Sequence, residues 1–163
     1  DVLEVMANGS LNYTVKGICI GMKVTWNYTP PTNGGDTFTS IKKGSKATLK
    51  IVQDEKNGFV KELYIQKEPD IDNRTFEAQL QKTVEQLQIT YPFLSVKNKK
   101  NGTYLIDIPQ EKRLGHEEHF SKVAKAFLHY VHNQDMPEWE NENTLAKYYI
   151  TTTAVEMAKK GNK

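Results

Sequence analysis

Between Ile18 and Tyr28, large apolar residues alternate strictly with small or polar ones. The apolar positions are Ile18, Ile20, Met22, Val24, Trp26 and Tyr28, and the residues between them are Cys19, Gly21, Lys23, Thr25 and Asn27. Successive side chains of a β-strand point to opposite faces, so the pattern predicts a strand with one apolar and one small, polar face. We therefore expect a sheet whose apolar face is covered by another layer, with Trp26 in the core and the opposite face left open.

Turn signals divide much of the remaining chain into further strands. Asn-Gly pairs, which favour tight turns, occur at Asn8-Gly9, Asn57-Gly58 and Asn101-Gly102, and a Lys43-Gly44-Ser45 turn separates two alternating segments. The predicted strands are Leu3–Met6, Leu11–Val15, Thr37–Lys42, Lys46–Gln53, Val60–Lys67, Phe93–Lys97 and Thr103–Ile108. Such local hairpins indicate a run of antiparallel strands.

Helical periodicity takes over in three segments. Apolar residues three or four apart from Phe76 to Leu87 predict a helix that begins at the N-cap Asp72 and ends near Thr90, before Pro92. Two later apolar stripes are Phe120, Val123, Ala124, Phe127, Leu128 and Val131, and then Leu145, Tyr148, Tyr149, Thr152 and Val155. Residues 1–163 are thus predicted to form one α+β domain, an open antiparallel or mixed β-sheet with about three helices packed on one face.

Charge and composition exclude several classes of protein. The 22 Lys and Arg residues are scattered among 20 Asp and Glu residues, so no basic surface for nucleic acid is expected. No apolar run approaches the roughly 18 residues of a membrane span, which predicts a protein without a membrane anchor in this segment. Cys19 is the one cysteine, which excludes an internal disulfide and favours a buried small side chain. Because Asp1 is followed at once by a strand-like segment, we expect the chain to be part of a longer protein.

The segment His116-Glu117-Glu118-His119 is the strongest local candidate for a site. Imidazoles three residues apart share one side of a helix, which is one requirement for binding a metal. The spacing does not match the zinc-protease motif, in which two residues separate the glutamate from the second histidine. We therefore expect no metal, and interpret the segment as the start of a helix whose acids favour its N-terminus, with His116 or His119 open to a polar substrate contact.

Nucleotide-binding and paired-carboxylate motifs are missing from the sequence. Gly17 and Gly21 lie inside a predicted strand and Gly34-Gly35 lies in a loop, so neither a dinucleotide fingerprint nor a phosphate-binding loop can be drawn. No pair of carboxylates can be placed at the separation that glycoside hydrolysis needs. The sequence therefore predicts no cofactor bound by these residues.

Residues 18–53 resemble the sheet of the C-terminal domain in the glucose-fructose oxidoreductase, inositol dehydrogenase and MocA superfamily. The run Gly44-Ser45-Lys46-Ala47-x-Leu49-x-Ile51 is similar to a Gly-Thr-Lys-Gly-x-Leu-x-Ile pattern of that superfamily, with Ser45 and Ala47 as mild departures. Three later segments are similar to oxidoreductase C-terminal domains of Bacteroides-type bacteria: residues 115–120, residues 137–140 and residues 147–149.

The resemblance implies a two-domain oxidoreductase of which this chain is the C-terminal part. In that superfamily an N-terminal Rossmann domain binds NAD or NADP and carries the catalytic Lys of a Glu-Lys-Pro motif, and a catalytic His lies on the helix that enters the C-terminal half. None of these has a match here, so no catalytic residue is assigned. The resemblance further implies a sugar or polyol substrate, a homo-oligomer formed through the open sheet face, and a bacterial cytoplasmic or periplasmic location.

The leading hypothesis is accordingly a substrate-binding and dimerisation domain that is inactive alone. The residues expected near the substrate are Asp36, Thr37, His116, Glu117, His119, Lys147 and Tyr148. The alternative is a stand-alone carbohydrate-binding or protein-interaction module, because exposed aromatic side chains could stack on sugars. A third hypothesis is a small metallohydrolase that uses His116 and His119.

Overall fold

A computed structural model describes residues 7–161. The strands are β1 (Gly9–Val15), β2 (Ile18–Val24), β3 (Phe38–Lys43), β4 (Ala47–Gln53), β5 (Glu62–Lys67), β6 (Ser95–Asn98) and β7 (Thr103–Asp107). The helices are α1 (Asn73–Gln88), α2 (His116–Asn133) and α3 (Glu138–Gly161), and short 3₁₀ turns occupy Glu55–Asn57 and Gln110–Lys112. All strand pairs are antiparallel, so the predicted α+β class is confirmed.

The strands form two sheets instead of the single sheet expected. Among the strands of residues 7–161, β1 pairs with β2 alone, and the others form a five-stranded sheet in the order β3-β4-β5-β7-β6. The chain divides correspondingly into two compact units, one of residues 30–115 and one that joins the chain up to Thr29 with the residues from His116 onward. The assignment of residues 1–163 to one domain stays a prediction.

The β1–β2 hairpin differs most from the sequence-based prediction. Its turn is Lys16-Gly17, with φ of 49° and 79°, so Gly17 lies in a turn and not inside a strand. Gly9 belongs to β1 and pairs with Val24; the predicted strand Leu3–Met6 lies outside the described residues. Next to this pair, the Asn8 side chain accepts the Trp26 backbone N–H at 2.6 Å.

Two predicted core residues of this hairpin are exposed. Trp26 follows the end of β2 and is 74% exposed, and Cys19 is exposed with its Sγ 3.9 Å from the Thr14 hydroxyl. An isolated two-stranded ribbon gives a side chain few neighbours to bury it, whatever its hydrophobicity. The predictions that Trp26 and Cys19 are buried are therefore wrong.

The core of unit 30–115 forms where α1 packs on the sheet. Val84 of α1 and Tyr104 and Ile106 of β7 are each at most 7% exposed. The Phe76 and Tyr104 rings lie 5.7 Å apart, and the Tyr104 hydroxyl donates to Glu77 at 2.8 Å. Burial and this hydrogen bond raise the pKa of the Tyr104 phenol. The helix face that the sequence predicted to be apolar is thus the one that covers the sheet.

The predicted N-cap and one predicted turn are confirmed. The Asp72 carboxylate accepts the Thr75 backbone N–H at 2.8 Å, and this bond is the main reason that the pKa of Asp72 is lowered. Asn101 and Gly102 adopt φ of 50° and 71° in the β6–β7 turn. Within residues 7–161 no helix is long and apolar enough to cross a bilayer.

Candidate functional site

The face of the five-stranded sheet opposite α1 is lined mainly by polar side chains. Strand registers place them on one side, because Lys50 pairs with Tyr64, Tyr64 with Leu105, and Leu105 with Lys97. We define the polar face by Lys50, Glu62, Tyr64, Gln66, Lys97, Thr103 and Asp107. The alternation of side chains that produces the polar face is visible in β5. There Glu62, Tyr64 and Gln66 alternate with Leu63 and Ile65, which lie on the side that α1 covers.

Side-chain bonds fix much of the polar face. The Tyr64 hydroxyl donates to Glu62 at 2.5 Å, the Thr103 hydroxyl donates to the Gln66 amide oxygen, and Lys97 pairs with Asp107 at 2.7 Å. Tyr64 and Glu62 both lie on β5, whereas the other two pairs are directly opposed or diagonal partners that stabilise neighbouring strands. The polar groups are therefore held in fixed positions and present their remaining lone pairs and N–H groups outward.

An open depression of about 410 Å³ lies at one end of this face. It is lined by Val52, Asp54, Lys56, Asn57, Glu62 and Tyr64. Two carboxylates, an ammonium, an amide and a phenol thus surround one space. Such a set of donors and acceptors suits a small ligand rich in hydroxyl groups, because each hydroxyl both donates and accepts.

The turn that forms one wall of the depression is determined locally. Asp54 accepts the Lys56 backbone N–H, while the Asn57 side chain accepts the Asp54 N–H and donates to the Val52 carbonyl, each at 2.9 Å. Gly58 ends the turn with φ of 63°, a conformation that glycine adopts without strain. The Asn57-Gly58 signal therefore marks a capped 3₁₀ turn that orients the Asp54 carboxylate.

Tyr64 is the electrostatically perturbed group of the depression. The hydrogen bond to Glu62, followed by burial and the negative charges of Glu62 and Asp54, raises the pKa of Tyr64 to about 12 from its ordinary 10.0. The phenol is consequently neutral throughout the physiological range. Because its proton is committed to Glu62, its oxygen is available to accept a hydrogen bond from a ligand.

Replacing Glu62 by glutamine is expected to return the pKa of Tyr64 toward 10.0, because the charged acceptor that favours the neutral phenol is removed. Since the folded-state pKa is the higher one, the wild-type bond stabilises the fold fully below pH 10 and loses this effect as the pH rises toward 12. An NMR titration of ring-labelled tyrosine measures the change. Glu55→Gln, at an exposed position in the adjacent turn, is the matched control. An unchanged Tyr64 titration in Glu62→Gln would contradict the assignment.

The first two predicted substrate residues lie in the loop before β3, in unit 30–115. Asp36 and Thr37 are both exposed, and the Asp36 backbone carbonyl accepts the Gln53 side-chain amide at 2.8 Å. Neither residue lines the depression around Tyr64. Their role in substrate binding stays a prediction.

The other predicted residues lie on the two long helices. His116, Glu117 and His119 occupy the exposed first turns of α2, where the His116 ring contacts Phe120 edge-on at 4.8 Å. On α3, the Lys147 ammonium lies 5.3 Å from the ring of its neighbour Tyr148. Among residues 7–161, no three His, Cys, Asp or Glu side chains are grouped closely enough to hold a metal ion.

Sequence reasoning missed the residues that the structure does bring together. Glu62 and Tyr64 were included in a predicted strand without any functional assignment, although their alternation with Leu63 and Ile65 is visible in the sequence. Lys97 and Asp107 lie in different strands of one hairpin, and only its register makes them diagonal neighbours. The alternation of Glu62 and Tyr64 with apolar residues could have been recognised in the sequence. The Lys97–Asp107 pair can be recognised only when the register of β6 and β7 is known.

Comparisons with known proteins give a consistent result. A family described as putative oxidoreductase C-terminal domain matches residues 1–159. The crystal structure of a putative oxidoreductase from Parabacteroides merdae is similar, with 39% sequence identity and a TM-score of 0.90. The similarity covers 94% of this chain but 35% of that one, so the present chain spans about a third of that protein. No curated protein matches the chain.

Proposed function

We propose a function for this chain on the basis of its family, since it belongs to the putative oxidoreductase C-terminal domains. It is the substrate-binding and dimerisation part of an NAD(P)-dependent sugar or polyol oxidoreductase. The observation that supports the binding role is the depression on the polar face, where Glu62, Tyr64, Asp54 and Lys56 offer complementary hydrogen-bonding groups. The remaining two thirds of a chain such as the Parabacteroides merdae protein would supply the N-terminal domain that a C-terminal domain implies.

The described residues do not fit a nicotinamide dinucleotide. Such cofactors lie against a glycine-rich turn that joins a parallel strand to the N-terminus of a helix. Here every described strand pair is antiparallel, and the positive-φ glycines Gly17, Gly58 and Gly102 lie in turns that lead to no α-helix. We therefore assign NAD or NADP to the N-terminal domain. This chain would position the hydroxyl-bearing substrate beside the nicotinamide cofactor.

Within this proposal the residues of the depression bind and orient the substrate. Lys56 donates to a substrate oxygen, the free lone pairs of Glu62 and Asp54 accept substrate hydroxyls, and the neutral Tyr64 oxygen accepts a further one. The sequence-predicted candidates His116, Glu117 and His119 on α2, and Lys147 and Tyr148 on α3, belong to the other compact unit and stay candidates for substrate contact by themselves. Dimerisation would use the part of the polar face outside the depression.

Calorimetry on two forms of the protein tests the assignment. We expect NAD or NADP to bind the full-length protein and to give no heat with the 163-residue chain, since the nucleotide-binding elements lie outside this chain. Because the depression is open and forms only one side of the proposed pocket, a polyol panel is expected to bind measurably only when the cofactor-bearing domain is present. Tight binding of NAD(H) to the 163-residue chain alone would overturn the proposal.

A second candidate function is a stand-alone carbohydrate-binding module. It is favoured by the exposed Trp26 and Trp139, which are 74% and 54% accessible and could each stack on a sugar ring. An oligosaccharide panel separates the two candidates. A binding module retains its affinity as the 163-residue chain, whereas half of a substrate pocket does not.

A further inference from the structure

Four Asn-Gly pairs occur in this chain, beginning at Asn8, Asn33, Asn57 and Asn101. Asparagine is a thermolabile residue, and a following glycine has no side chain to hinder attack by its backbone nitrogen on the asparagine side-chain carbonyl carbon. The C–N bond of the side-chain amide then breaks, ammonia leaves and a cyclic succinimide forms. Water opens this ring to aspartate or isoaspartate. The reaction therefore needs a side-chain amide and a glycine N–H that are free to meet.

The turn between β4 and β5 holds the Asn57-Gly58 pair in hydrogen bonds. The Asn57 amide oxygen accepts the Asp54 backbone N–H, and its amide nitrogen donates to the Val52 carbonyl, each at 2.9 Å. The Gly58 N–H donates to the Glu55 carbonyl at 3.2 Å. Every group that the reaction must move is therefore bonded, and these bonds have to break before the ring can close.

The β6–β7 turn leaves the Asn101-Gly102 pair without such bonds. Gly102 has a left-handed backbone with φ of 71°, close to the 63° of Gly58, so the two glycines share one conformation. Within residues 30–115, the Asn101 side-chain amide and the Gly102 N–H make no hydrogen bond. The bonds of this pair are made by its two backbone carbonyls, which accept from Gln66 at 3.1 Å and from Lys67 at 2.8 Å.

The charges around the two pairs differ in the same direction. Lys99 and Lys100 directly precede Asn101, and neither ammonium pairs with a carboxylate of residues 30–115. A positive segment attracts hydroxide, the base that removes the proton from the attacking glycine nitrogen. The segment before Asn57, residues 54–56, instead carries two carboxylates and one ammonium.

We propose that Asn101 is a site of spontaneous deamidation in this protein, whereas Asn57 is protected by its turn. The bonds that distinguish the two pairs all join residues of unit 30–115. In one of the other two pairs the Asn8 side chain is bonded to the Trp26 N–H. In the other, the Gly34 N–H donates to a backbone carbonyl at 2.7 Å.

Deamidation would change the polar face at the β6–β7 turn. It replaces a neutral amide by a carboxylate. In isoaspartate the main chain runs through the former side chain, so the turn gains one main-chain atom and the Asn101 carbonyl that accepts Gln66 becomes a free carboxylate. Gln66 also accepts the Thr103 hydroxyl. The product would therefore place a negative charge beside Gln66, outside the Tyr64 depression.

Incubation of the full-length protein at mildly alkaline pH, followed by peptide mapping with mass spectrometry, tests the proposal. In the folded protein we expect Asn101 to deamidate at least about tenfold faster than Asn57, because the side-chain bonds of Asn57 must open first. In denaturant these bonds are absent, so the two rates are expected to become similar. Asp54→Ala removes the carboxylate that accepts the Lys56 N–H and loosens the turn. This variant should accelerate deamidation at Asn57 and leave the rate at Asn101 unchanged.

Equal rates at Asn57 and Asn101 in the folded protein would overturn the proposal. So would a folded protein in which Asn101 stays intact over a time that converts it completely in denaturant. A difference that persists in denaturant would assign it to the neighbouring residues and would overturn the protective role of the turn. A faster reaction at Asn101 in the folded protein alone supports the proposal. Because neither cofactor nor substrate is used, this result does not depend on the calorimetric test of the oxidoreductase function.

Discussion

Replacing Ile106 by alanine is expected to lower the free energy of unfolding by about 3 kcal/mol. Ile106 is 7% exposed in β7, on the same side of the sheet as Tyr104, and lies between Leu63 of β5 and Val96 of β6. Truncation removes apolar contacts and leaves a cavity, because strands paired on both sides cannot move inward to fill it. Chemical denaturation monitored by circular dichroism measures the change.

Ile41→Ala is the matched control for this prediction. The same residue type is removed from the same sheet, but Ile41 lies in the edge strand β3 and is 52% exposed. We expect its truncation to cost less than about 1 kcal/mol. Equal losses in the two variants would mean that the core does not lie where α1 meets β7.

The second large effect is expected for Lys67→Met, with a loss of about 2 kcal/mol in unfolding free energy. Lys67 is 9% exposed, and its ammonium donates to the backbone carbonyls of Glu68, Pro69 and Ile71. These carbonyls belong to the connection between β5 and α1. Methionine keeps the length and apolar stem of the side chain but leaves the carbonyls without their shared donor.

Lys50→Met separates this effect from a simple loss of charge. Lys50 is an exposed lysine of the adjacent strand β4, and we expect its replacement to change stability by less than about 0.5 kcal/mol. Hydrogen exchange in the first turn of α1 provides a second readout, which should accelerate in Lys67→Met alone. A Lys67→Met protein as stable as the wild type would show that water replaces the ammonium without cost.

Local signals predicted the elements of unit 30–115 well. Asp72 caps α1 as expected, since an aspartate before an apolar-periodic segment supplies the acceptor that the first N–H groups lack. Asn101-Gly102 forms the expected turn, because that pair tolerates left-handed backbone angles. The turn of the β1–β2 hairpin was mispredicted. Lys16-Gly17 is less typical of turns than Asn-Gly, yet it adopts similar left-handed backbone angles.

The candidate site was less accessible to sequence reasoning. Asp36 and His116 were chosen for their chemistry and their place in predicted turns and helix starts, and both lie outside the Tyr64 depression. Glu62 and Tyr64 were not assigned to a site, because a strand pattern shows which residues share a side of the sheet but not which side stays uncovered. Whether a face is filled depends on a helix that arrives from elsewhere in the chain.

The sequence by itself determined the strands of unit 30–115, the three helices, the N-cap Asp72 of α1 and the division of β5 into an apolar and a polar side. These follow from backbone dihedral preferences and from the period of side-chain direction, which act over a few residues. Only the tertiary structure decided that α1 covers the Tyr104 side, that Lys97 reaches Asp107, and that Ile106 is buried while Ile41 of the same sheet is exposed. Burial depends on contacts between residues distant in the chain, and local periodicity carries no information about which partner makes them.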